Sequence, residues 1–234
     1  MGFGFSTATR AKSAQLAVVA DLPQADAAAA TKAIADGADG LLVGSVGGDG
    51  ALKEVLAAAG SVPVGLRVSS ASREQLETWY KDGVDFFVLE GLEASAGLLR
   101  VDGPARLLTL DMGWPDQVWR TLEALPLDGG AWTLPAGDDL SLATLMNVAR
   151  AAAASKRMLL LSVSAVDEDT LTSLRDIGVI SIVVAADRVA AAKQTATDMP
   201  ARKRRDRERM EAMLPHSPRA AEPAGHDHDD DDDD

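Results

Sequence analysis

The sequence predicts an α/β fold, a compact (β/α)8 (TIM-like) barrel, on three observations. Eight short, almost continuously apolar runs alternate with helix-like segments over residues 16–199. Runs of that kind suit strands covered on both faces, as in a parallel sheet wrapped by helices. A near-repeat also returns at a spacing of 46 residues: "DGADGLLVGS" from Asp36, "DGVDFFVLEG" from Asp82 and "DGGAWTLPAG" from Asp128. That spacing suits one pair of β/α units. An open doubly wound sheet is the rival architecture, but eight units and a paired repeat favour closure.

The elements follow in order. Residues 1–15 form an N-terminal segment. The barrel opens with "LAVVAD" at 16–21 and a helix over 24–36. Strand 2 lies in the first repeat copy and is followed by a helix over 50–59. "VPVGLRV" at 62–68 is strand 3, with a helix over 71–82 whose start is marked by Ser70 or Ser72 near Glu74. Strand 4 lies in the second copy. Its crossover, 93–100, is short and glycine-rich, and an irregular helix is expected there. "RLLTLDM" at 106–112, a helix over 115–124, the third copy and a helix over 139–154 complete units five and six. "RMLLLSV" at 157–163 is strand 7; Asp167-Glu168-Asp169 then supply the acidic first turn that a helix N-terminus favours, over 167–176. A looser copy, "IGVISIVVAA" from Ile177, holds strand 8, and a helix runs over 187–199. Gly37, Gly83, Gly129 and Gly178 read as helix stops, because glycine takes the φ > 0 conformation without a Cβ clash.

Composition narrows the function classes. The chain has 234 residues, 47% hydrophobic, enough apolar material for one full core. No apolar run reaches the ~18 residues of a membrane-spanning helix, and no secretory leader is visible. Cysteine is absent, which excludes disulfides, thiolate metal sites and a cysteine nucleophile, and the cytoplasm is the expected compartment. The net charge is −13, of which Asp227 and Asp229 to Asp234 carry seven. An acidic body argues against nucleic acid as a partner. Residues 200–211, "PARKRRDRERME", form a basic block that reads as a solvated segment, and "HDHDDDDDD" at 226–234 reads as a disordered acidic tail. Residues 200–234 are therefore a charged extension, and the one stretch suited to a protein partner. "MGFGFS" also fits an N-myristoylation pattern, with Phe3 and Phe5 covering the bottom of the barrel as the alternative.

Chemistry in such a barrel sits at the C-terminal ends of the strands. Those ends offer Asp21, Gly44-Ser45, Arg67 with Ser69, Glu90, Asp111, Asp138 and Asp139, Ser162 and Ser164, and Asp187. Asp21, Glu90 and Asp111 are candidate oxygen ligands for Mg²⁺. Glu90 and Asp111 are the candidate catalytic carboxylates, dividing acid and base roles. Arg67 is the candidate anion holder. The loop "GSVGGDG", with Gly44, Ser45, Gly47 and Gly48, is the one glycine-rich ligand loop. Rim capping and mutual ion pairing are the alternative use of these acids. No lysine falls at a strand end, which disfavours Schiff-base chemistry. His216, His226 and His228 all lie beyond the barrel, so no imidazole base or metal cluster is available inside it. Tyr80 sits in a helix and reads as a packing residue.

"AIADGADGLLVGS" followed by "VPVGLRV" resembles the second and third strands of phosphate-binding (β/α)8 barrels, and is similar to geranylgeranylglyceryl phosphate synthase-like proteins. That resemblance implies a first-strand Asp and a second-strand Ser at a magnesium-bound phosphate, which by position are Asp21 and Ser45. "GADGLLVG" also resembles segments of the flavin-dependent nitronate monooxygenase and IMP dehydrogenase barrels, which would imply FMN. The chain departs from the first pattern in three places. It has no Asp-Pro pair after strand 1, no Gly-Gly-Ser after strand 2 and no glycine-rich loop after strand 7.

Two functions are expected from these features. The first is a barrel that binds a small anionic or phosphorylated metabolite at the strand ends, with carboxylate-based lyase, isomerase or transferase chemistry if it is an enzyme. The second is a non-catalytic barrel that recognises a protein partner through its charged extension.

Overall fold

The computed structural model describes residues 16–135, 137, 140–156 and 158–200. Eight parallel strands close into a barrel in chain order. They are β1 (Ala17–Gln24), β2 (Gly40–Ser45), β3 (Val64–Val68), β4 (Phe86–Leu89), β5 (Ala105–Thr109), β6 (Gly129–Thr133), β7 (Leu159–Ser162) and β8 (Ser181–Ala185). Closure is made by β1 against β8, from Ala17↔Ser181 to Asp21↔Ala185. The open-sheet alternative is thereby excluded.

Among the described residues seven α-helices lie between and after the strands: α1 (Ala27–Ala35), α2 (Asp49–Ala59), α3 (Arg73–Asp82), α4 (Asp116–Thr121), α5 (Leu142–Ala154), α6 (Glu168–Asp176) and α7 (Val189–Asp198). The fourth crossover holds only the 3₁₀ turn Ala96–Arg100, the irregularity that its glycines imply. Period-two alternation divides each strand between two apolar layers. Val19, Leu42, Phe86, Val88, Ala105, Leu107, Leu160 and Val183 form the barrel interior. Neighbours such as Val18, Leu41, Leu66, Phe87, Leu161 and Ile182 belong to the larger layer shared with the helices. Among the described residues no helix is long and apolar enough to cross a membrane.

Helix ends follow local chemistry. Gly37, Gly83 and Gly178 take φ of 97°, 118° and 108° and turn the chain after α1, α3 and α6. Gly129 does not: it is the first residue of β6. The third repeat copy is therefore offset. Its functional counterpart to Asp39 and Asp85 is Asp128, each of the three standing just before an even-numbered strand. Asp39 Oδ2 accepts the Val18 amide at 2.8 Å, Asp85 Oδ2 that of Val64 at 2.8 Å, and Asp128 Oδ2 that of Arg106 at 2.8 Å. Each aspartate thus pins the start of the preceding odd strand. In the fourth pair the polarity reverses, and Ser181 Oγ donates to the Leu159 carbonyl at 2.7 Å. The sequence repeat is the trace of this clamp.

α3 is capped by Ser72, in a reciprocal box with Gln75 rather than with Glu74. α6 is capped by Asp167, whose carboxylate accepts the Thr170 amide at 2.8 Å. That amide holds the Asp167 carboxyl below its ordinary pKa. Replacing Asp167 with alanine is expected to destabilise the fold by about 1 kcal/mol at neutral pH. Because the folded-state pKa is lowered, the contribution is present above the unfolded carboxyl pKa of ~3.9 and disappears as pH falls through the folded value. Urea unfolding of both proteins at pH 7 and below pH 3 should therefore show the gap closing in acid.

Candidate functional site

The C-terminal mouth is built from inward-facing positions two residues apart along each strand. Asp21 lies within β1, which runs three residues past the expected end, and is paired with Leu42 on one side and Ala185 on the other. Arg67 is the fourth residue of β3, next to Val88. Glu90 follows β4 directly, its amide donating to the Val68 carbonyl at 2.9 Å. Thr109, Thr133 and Ser162 end β5, β6 and β7. Together Arg67, Glu90, Thr109, Thr133 and Ser162 form the polar upper wall of a well of about 130 Å³, with Leu42, Val88, Ala131, Leu160 and Val183 among its apolar walls.

Inside this mouth Arg67 Nη1 donates to Asp21 Oδ1 at 2.7 Å, the two side chains being 22% and 29% exposed. This partial shielding makes the pair stronger than an open surface contact. It also anchors the guanidinium at the well. Arg67 makes no ion pair with Glu90, and the side chains of Glu90, Thr109, Thr133 and Ser162 have no hydrogen-bond partner among the described residues.

Beside the well a wider cleft of about 880 Å³ runs between the loops after β6, β7 and β8. The two spaces share Thr133, Ser162 and Val183. Asp21, Ser164 and Arg188 also line the cleft, and Arg188 Nη1 donates to the Ser164 carbonyl. A third opening over the β1–α1 loop is lined by Asp21, Asp26, Glu54 and Asp187. Acids therefore outnumber bases around the mouth.

The expected site residues divide into those the fold gathers and those it does not. Asp21 and Arg67 are in contact, and Arg67 and Glu90 share the well. Asp111 is turned to its own loop: it is exposed, and its Oδ1 accepts the Gly113 amide at 2.8 Å. Among the described residues no three His, Cys, Asp or Glu side chains form a group able to hold a metal ion. The expected three-carboxylate site of Asp21, Glu90 and Asp111 is thus not assembled. Asp21 turns to Arg67 and Asp111 caps a turn.

Gly44 is a packing residue. A Cβ there would meet the Pro23 carbonyl oxygen at 2.7 Å, so its lack of a side chain lets the ends of β1 and β2 lie together. Ser45 Oγ donates back to that same carbonyl at 3.3 Å, and the Ser45 carbonyl accepts from Ala25. Gly47 and Gly48 are exposed, with open space where a Cβ would stand, and Gly48 precedes α2. They lie outside the wall of the well. Tyr80 packs its ring against Gly103, in keeping with a packing role. Asp138, Asp139 and the charged stretch 201–234 lie outside the described residues, as does the N-terminal "MGFGFS".

Thr109, Thr133 and Arg188 were not among the expected site residues. Thr109 ends β5 two residues before Asp111, and that period-two step was the available signal.

No family model matches the sequence, and no curated protein matches it. Solved structures do match in fold. A chain of the tryptophan synthase α2β2 complex from Pyrococcus furiosus superposes with a TM-score of 0.60 at 13% identity, over 80% of this chain and 96% of that one. KGPDC from Streptococcus mutans gives 0.59 at 14% identity, over 78% and 97%. Tryptophan synthase from M. tuberculosis gives 0.55 at 16% identity, over 79% and 89%. At such identities these likenesses establish the (β/α)8 fold, and a shared fold carries many chemistries.

Proposed function

We propose that the barrel binds a small anionic metabolite at its C-terminal mouth, with Arg67 supplying the positive charge. The observation that carries this reading is the well itself, where a guanidinium and several polar side chains without a partner among the described residues line one open, otherwise apolar hollow. That combination is the usual anatomy of a small-molecule site. Its position is also where barrels of this fold place their ligands. Arg67 gives one N–H to Asp21, which leaves the other donors of its planar fork for a carboxylate or another oxyanion. Glu90 is the carboxylate in the well with no cationic partner among the described residues. Where chemistry follows binding, it is the group placed for proton transfer. Magnesium has no part in this reading, since Asp21 is committed to Arg67 and Asp111 stands apart.

Ligand-observed NMR on the full chain, with a mixture of small carboxylates and phosphate esters, tests the proposal. Arg67→Gln is expected to weaken the bound members roughly 10- to 100-fold, the equivalent of ~1.5–3 kcal/mol for a hydrogen bond to a charged group. Equal affinity in both proteins would reject Arg67 as the anion holder.

A further inference from the structure

The charges at the well do not suit a dianion. Arg67 and Glu90 line the well, one charge of each sign, and Asp21 neutralises Arg67 from the rim; Arg188 lies across the cleft on the Ser164 carbonyl. Asp21 is already satisfied by Arg67. Glu90 is not: it lines the same well as Arg67, makes no ion pair with it, and has no hydrogen-bond donor among the described residues. A phosphate ester drawn to the guanidinium would bring like charge towards that carboxylate. A ligand that also carries a cation would bring opposite charge to it. The well therefore presents a separated acid and base, three free hydroxyls and an apolar lining.

Size narrows the choice further. The well, at about 130 Å³, is several-fold smaller than the 880 Å³ cleft beside it, so it suits a head group rather than a whole sugar or nucleotide. Anything attached to the head group has a way out, since the well and the 880 Å³ cleft share Thr133, Ser162 and Val183.

We propose that the well binds the zwitterionic head group of an α-amino acid or a close derivative. The carboxylate lies on Arg67, the ammonium on Glu90, and the side chain extends into the cleft between the loops after β6 and β8. The hydroxyls of Thr109, Thr133 and Ser162 hold whichever head-group atoms remain, as donors to the carboxylate or acceptors from the ammonium. Asp21 is a positioning residue that orients Arg67. This inference rests on the reading of Arg67 as the anion holder and adds a selectivity for the amine.

The test is a matched panel. Each common L-α-amino acid is titrated against the full chain beside its 2-hydroxy acid, which replaces the ammonium with a neutral hydroxyl; inorganic phosphate is the third probe. The proteins are wild type, Glu90→Gln and Arg67→Gln. Because Glu90 is exposed and has no partner among the described residues, its substitution should leave the fold intact, which circular dichroism checks. The expected result is at least one amino acid that binds wild type tenfold or more tightly than its hydroxy acid. Glu90→Gln should abolish that preference, and Arg67→Gln should weaken both members. A preference absent from wild type, one that survives in Glu90→Gln, no binding by any amino acid, or tighter binding of phosphate would each overturn the zwitterion assignment. If Arg67→Gln still weakens a bound carboxylate, the anion reading stands without it; if it weakens nothing, both fall.

Discussion

Phe86→Ala is expected to remove about 3–5 kcal/mol of stability, the range for emptying a buried aromatic site. Phe86 is 7% exposed and belongs to the barrel interior, and its strand partner across β3 is Gly65. A Cβ on Gly65 would stand 2.0 Å from the Phe86 ring. The ring therefore fills the space that the glycine leaves, and the two positions are one packing unit. Gly65→Ala alone is expected to cost about 1–3 kcal/mol or more through overpacking. Joined to Phe86→Leu, which withdraws the ring, the alanine should be tolerated better. A double-mutant cycle by urea unfolding should give a favourable coupling of about 1 kcal/mol or more between them. Strict additivity would show that Gly65 and Phe86 do not share that space.

The second large effect lies at the same, N-terminal end of the barrel, just before β2. Asp39 accepts the Val18 amide and takes two further hydrogen bonds from Lys193 Nζ, at 2.6 and 2.7 Å. It thus ties together the start of β1, the start of β2 and the last helix. Asp39→Ala leaves a partly buried amide without an acceptor and Lys193 without its counter-ion, and should cost roughly 2–3 kcal/mol. Asp39→Asn retains a carbonyl for Val18 and should cost about half as much. Thermal unfolding of the two variants separates these contributions, and equal losses would show that the amide bond is not the main one.

Most of the barrel was legible because its signals are local. Continuous apolar runs marked the strands, positive-φ glycines marked the ends of three helices, and an acidic first turn marked the start of α6. Less was legible where a partner from far along the chain decides the outcome. β1 reads as "LAVVAD", ending at Asp21. In the structure Leu22 and Gln24 pair with Val43 and Ser45, and the proline is skipped. The repeat was visible, yet its third copy was misaligned by three residues, because only the hydrogen bond to Arg106 shows which aspartate is the counterpart. Gly44-Ser45 reads as a ligand loop from its composition, whereas the approach of Pro23 gives both residues a structural task. At the mouth Asp21, Arg67 and Glu90 were named, but their relation was not. Charge alone suggests that the acids join round a metal. The geometry instead spends Asp21 on an arginine 46 positions away and leaves Glu90 over.

The side-chain clamps at the base also bear on how the chain reaches its native state. Each links residues only 21 or 22 apart, so four β-α-β quarters can form early, with little loop-closure entropy to overcome. The seam between the first and last strands joins positions 164 apart, as in Val19↔Val183. It can form only after the quarters have assembled, which makes ring closure, fastened by Lys193 on Asp39, the late event of refolding.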